Sequence, residues 1–75
     1  MTITIKTNRG EILTLTKLRR DQIRFAGGRY ETRIIYRAND GTYWTWYSGE
    51  FTELTVRAGV GGRPRFKADF LRFAN

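Results

Sequence analysis

RIIYRANDGTYWTWY, Arg33 to Tyr47, is the stretch whose reading decides the fold. Two runs rich in β-branched and aromatic residues flank Asn39-Asp40-Gly41, which predicts a hairpin. Two registers compete. With Asp40-Gly41 as a two-residue type I′ loop, Arg37 pairs with Trp44, Ile35 with Trp46 and Arg33 with Ser48. With a three-residue loop, Asn39 to Gly41, Gly41 takes a left-handed bulge position. Tyr36 then faces Trp44, Ile34 faces Trp46, Arg37 faces Tyr43 and Arg33 faces Tyr47.

The three-residue loop sorts the side chains better. It gathers Ile34, Tyr36, Trp44 and Trp46 on one apolar face for the core, and leaves Arg33, Arg37, Tyr43 and Tyr47 on the other. In either register, two arginines and at least two aromatic rings share a surface.

Outward from the hairpin, the chain is a series of short strands. Thr2 to Thr7 alternates, Asn8-Arg9-Gly10 is a turn, and Glu11 to Leu18 is a second strand. Ile23 and Phe25 suit a short strand, with a helical turn over Lys17 to Ile23 as the alternative. Gly27-Gly28 ends that segment. Phe51 to Ala58 alternates again, and Gly59 to Pro64 is a loop. Arg65 to Phe73 is read as a strand whose phase breaks after Phe70, the mark of a bulge. Phe66, Phe70 and Phe73 also fit helical spacing. No repeat is evident.

Five or six strands with glycine-bearing turns define an all-β, antiparallel chain. A sheet of this size avoids free edges by curling, so a small barrel, SH3-like or OB-like, is expected over residues 1–75 as one domain. A chain this short has a thin core. It contains no cysteine and no histidine, so disulfides and Cys or His metal ligation are excluded. No apolar run is long enough to span a membrane or serve as a signal peptide. The expectation is a cytoplasmic protein with no cofactor and no membrane partner.

The formal net charge is +7, with 14 Lys and Arg against 7 Asp and Glu. Its distribution is uneven: residues 1–38 are strongly basic, residues 39–56 carry Asp40, Glu50 and Glu53 and no cation, and residues 57–75 are basic again. A basic sheet face with aromatic rings suits nucleic acid, because bases stack on rings and arginines pair with phosphates. The expected site is Arg33, Arg37, Tyr43 and Tyr47 on the hairpin, extended from turns by Arg9, Arg24, Arg29, Arg63 and Arg65. Single-stranded DNA or RNA is the favoured ligand. The acidic stretch around Ser48 to Thr55 is a poor phosphate contact.

The same residue types suit a protein interface. An inhibitor, an adaptor or a subunit of a homo-oligomer is therefore the second reading, and small accessory proteins of phages and plasmids have this size and composition. An enzyme is not expected. No carboxylate pair is visible, a serine nucleophile would lack a histidine base, and Gly59 to Arg63 has no phosphate-loop lysine.

Overall fold

Six strands form, and two of them run longer than the sequence suggests. The computed structural model describes residues 1–75. The strands are β1 (Thr2–Lys6), β2 (Ile12–Arg24), β3 (Tyr30–Ala38), β4 (Tyr43–Tyr47), β5 (Glu50–Ala58) and β6 (Pro64–Ala74). One-turn 3-10 segments at Ala26–Gly28 and Val60–Gly62 are the only helical pieces. No helix is long and apolar enough to cross a membrane. Lys17 to Ile23 lies within β2, and residues 65–73 are strand, not helix.

The hairpin takes the three-residue loop. Gly41 has φ 88° and its N–H bonds the Ala38 carbonyl, while the Ala38 N–H bonds the Thr42 carbonyl. Tyr36 stands opposite Trp44 and Arg37 opposite Tyr43.

The sorting of faces differs from the expectation. Trp44 is fully buried, but so are Ile35 and Thr45 on the opposite face, and Trp46 is 46% exposed. Each face of the sheet carries its own core. One cluster joins Ile5, Leu13, Leu15, Ala38, Trp44, Phe51 and Ala74. The other joins Ile23, Phe25, Ile35, Leu54, Phe66 and Ala68.

Two bulges make this possible. Strand side chains alternate with a period of two, so one unmatched residue moves everything after it to the other face. In β2 the register with β3 shifts between Lys17 and Arg19, which leaves Leu18 unmatched. Leu13 and Leu15 therefore serve the first core and Ile23 the second. In β6 the register with β5 shifts between Ala68 and Phe73, around Phe70 at φ 55°. Phe66 and Ala68 serve the second core and Ala74 the first.

The sheet is not the expected SH3-like or OB-like barrel. Its order is β1-β2-β3-β4-β5-β6, antiparallel between neighbours, and β2 touches β6 in just two parallel pairs, Ile23–Phe66 and Arg24–Lys67. The β3–β4 ladder also stops after two pairs. Beyond it side chains bridge the strands: the Thr45 hydroxyl donates to the Ile34 carbonyl and Arg33 to the Trp46 carbonyl. The hydrogen-bond ring does not close. A closed barrel needs one interior, and a sheet with a core on each face has none.

The second core contains one polar defect. The Thr52 hydroxyl is buried with no hydrogen-bond partner. Thr52→Val keeps the shape and removes the unsatisfied group, so it is expected to stabilise the fold by about 1 kcal/mol. That is a rise of about 4–8 °C in melting temperature. An unchanged or lower value would show that the hydroxyl is satisfied in solution.

The order of the elements reveals an internal repeat that is not evident in the sequence. Each half of the chain is strand, turn, strand, 3-10 turn, strand. Gly10-Glu11 and Leu15-Thr16 correspond to Gly49-Glu50 and Leu54-Thr55. Gly27-Gly28-Arg29 corresponds to Gly61-Gly62-Arg63, and Ala38-Asn39 to Ala74-Asn75. The two 3-10 turns have nearly the same backbone: Gly27 lies at φ 80°, ψ 9° and Gly61 at φ 73°, ψ 18°.

Candidate functional site

The charges are best read by asking which cations have a carboxylate. Glu11, Asp40 and Glu53 all converge on Arg72. Glu31 pairs with Arg29 and Arg33, Asp21 with Arg19, and Asp69 with Lys67. Most of the acidic groups are consumed in this way. The remaining arginines and lysines have no carboxylate within 4 Å.

The structure divides the sequence-predicted site into separate places. Arg33 lies over the Tyr47 ring at 4.7 Å and holds Glu31 at 2.7 Å. Arg29 also holds Glu31 and donates to the Tyr47 hydroxyl at 3.1 Å. Tyr47 packs on Phe25 and Phe70, and Tyr43 on Phe66. Arg37 lies over Tyr43 at 5.6 Å. Both tyrosines are thus half-buried against the second core, and their rings already have partners. The hairpin face is a packed arginine–aromatic layer in which Glu31 pairs with two of the three arginines.

Arg63 and Arg65 lie elsewhere, in a cleft of about 840 Å³ along the β2–β6 contact and the Gly59–Arg63 turn. Arg24, Arg57, Lys67 and Tyr30 line it with them. Strand pairing builds this cluster. Arg57 of β5 stands directly opposite Arg65 of β6. Lys67 stands opposite Arg24 of β2, and Arg24 opposite Tyr30 of β3. Arg65 and Lys67 are two residues apart and so share a face. Arg24, Arg57, Arg63 and Arg65 have no ion-pair partner.

The repeat sharpens the contrast. In the first half, the residue two positions after Arg29 is Glu31, which neutralises its surroundings. In the second half, the residue two positions after Arg63 is Arg65. The same turn is followed in one half by two arginines sharing one carboxylate, and in the other by a cleft whose arginines have none within 4 Å. Lining up the two halves of the sequence would have exposed this exchange of Glu for Arg. The roles of Arg24, Arg57, Lys67 and Tyr30 depend on cross-strand register and have no local signal.

A second cluster is closed and structural. Arg72 is 7% exposed, and its guanidinium lies 5.3 Å from the centre of the Trp44 ring. It bonds Glu53 at 2.8 Å, Glu11 at 3.0 Å and Asp40 at 3.1 Å. Trp44 donates its indole N–H to the Thr42 hydroxyl, which bonds Asp40. The hydrogen bonds that Arg72 donates to Glu53, Glu11 and Asp40 outweigh burial and raise its pKa, which keeps the side chain charged. The Thr7 hydroxyl and Arg72 hold the Glu11 carboxyl below its usual range. Burial pushes Asp40 up, but bonds from Thr42 and Arg72 outweigh it and leave the carboxyl lowered. Asp40 and Glu53, two of the three carboxylates of residues 39–56, are taken up here. No group of carboxylates in the chain is placed to hold a metal ion.

No protein-family model matches this sequence, and neither a curated protein nor a solved structure shows significant similarity to it.

Proposed function

We propose that this chain binds nucleic acid, single strands in preference, and that its contact surface is the β2–β6 cleft rather than the hairpin face. The observation that carries the reading is the pairing of like charges. Arg57 faces Arg65 with no carboxylate near either, and Arg24 faces Lys67, which holds Asp69 at 3.6 Å, across hydrogen-bonded strands. Like charges directly opposite destabilise a sheet. An anionic ligand removes that cost, and a chain of phosphates can meet several of these cations at once. Tyr30, 54% exposed beside them, offers a ring for stacking.

The test couples affinity to stability. Arg57→Glu places a carboxylate opposite Arg65, so the fold is expected to gain about 0.2–1 kcal/mol. The same change removes one phosphate contact and is expected to weaken single-strand binding by about tenfold or more. Fluorescence anisotropy with a labelled oligonucleotide gives the affinity, and thermal melting gives the stability. For four phosphate contacts, log K is expected to fall with log salt at a slope of about −3. A variant that melts higher yet binds as before would overturn the cleft as the site. Capture of an acidic protein with no measurable oligonucleotide binding would favour the protein-interaction reading.

A further inference from the structure

We infer that the cleft reads one unpaired base, adenine before the others, between the ring of Tyr30 and the carboxamide of Gln22. This rests on the nucleic-acid reading above and names the part of the ligand that is recognised.

Among the tyrosines, Tyr30 differs in what its ring touches. Tyr36 packs on Phe51, Tyr43 on Phe66, and Tyr47 on Phe25 and Phe70. Tyr30 packs on no aromatic ring, is 54% exposed and lines the cleft. A flat aromatic surface left open beside phosphate-binding groups is what an unstacked base needs.

The chemistry changes along the cleft. Arg57, Arg65, Lys67 and Arg24 form its cationic part. Past Arg24 the lining is Gln22 and Asp21, whose carboxylate is held by Arg19 at 3.2 Å. Gln22, two residues before Arg24 on β2, projects to the same side as Arg24 and lines the cleft. Tyr30 is directly opposite Arg24, so Gln22 is its diagonal neighbour across the strands. The Gln22 carboxamide has no hydrogen-bond partner in the protein, since its backbone N–H alone is engaged, by Asp21. A free carboxamide offers one acceptor and a paired donor. Adenine presents the complement, N6–H and N7, and a purine also covers more of the tyrosine ring than a pyrimidine. A base in a duplex has its faces stacked and cannot lie on Tyr30. The arrangement therefore selects a single strand.

Anisotropy titrations with equal-length single strands of deoxyadenylate, thymidylate, deoxycytidylate and an abasic backbone separate the parts. Deoxyadenylate is expected to bind tightest, and the abasic strand about tenfold more weakly. Tyr30→Ala is expected to bring deoxyadenylate down to the abasic level and to leave abasic binding unchanged, while Tyr30→Phe keeps the difference. Gln22→Ala is expected to remove the preference for adenine over thymine without weakening thymidylate. Melting curves check that each variant is folded. Equal binding of abasic and intact strands, equal binding of the duplex, or a preference for another base would overturn the inference while the nucleic-acid reading stands. Absence of binding by every strand would overturn both.

Discussion

Replacing Arg72 with methionine is expected to lower the melting temperature by at least about 12 °C. Removing one partner of a buried charge network costs about 3–5 kcal/mol, and in a domain of this size each kcal/mol moves the midpoint by about 4–8 °C. The cost is high because the guanidinium serves three carboxylates from three places in the chain, the β1–β2 turn, the β3–β4 turn and β5. Without it, Glu11, Asp40 and Glu53 face one another beside Trp44. Arg72→Lys keeps the charge but lacks the planar fork that reaches several acceptors, so an intermediate loss is expected.

The pH dependence distinguishes this network from ordinary packing. Glu11 and Asp40 have lowered carboxyl pKa values in the fold. Their contribution is therefore present above the ordinary values, 4.5 and 3.8, and is lost as pH falls through the lowered ones. In Arg72→Met, acid instead relieves repulsion among the three carboxylates. The gap in melting temperature between the two proteins is expected to narrow below about pH 4. A gap constant from neutral to acid pH would mean that Arg72 acts through packing alone.

The second large effect is expected at Ile35. Ile35→Ala should cost about 2–4 kcal/mol, read as a lower denaturant midpoint with the slope unchanged. On a sheet with one core and one wet face, this position beside Arg33 and Arg37 would be exposed, and alanine there would cost little. Here Ile35 is fully buried with Ile23, Leu54 and Phe66. A loss under about 0.5 kcal/mol, the range of ordinary surface substitutions, would refute the second core.

The contrast between hairpin and sheet shows what was legible in the sequence. Asn39-Asp40-Gly41 dictates its own turn, because Gly41 supplies the left-handed backbone the loop needs, and register follows from the turn. The burial of the two faces does not follow. An alternating strand shows a pattern, and when both faces are covered the apolar residues occupy both parities, as Trp44 and Ile35 do. The reversal in β6 at the left-handed Phe70 shows in the sequence as a break of phase, whereas the unmatched Leu18 reverses the faces of β2 with nothing to announce it.

The site was legible only in part. Arg63 and Arg65 stand out beside a glycine loop. Arg24 meets Lys67 through a parallel contact between strands more than 40 positions apart, and no local composition signals it. Arg72 is similar: an arginine in an aromatic strand looks like a surface residue until the three carboxylates arrive from elsewhere.

The exchange of faces within β2 and β6 has a consequence for how the protein comes apart. Each of these strands contributes to both cores, so neither core can be exposed without pulling on a strand that the other holds. Local openings confined to one half are suppressed, and the chain loses structure as a single unit. Amide hydrogens behind Leu15 and behind Ile23, on opposite faces of the sheet, should then exchange through the same rare opening, with the same protection free energy.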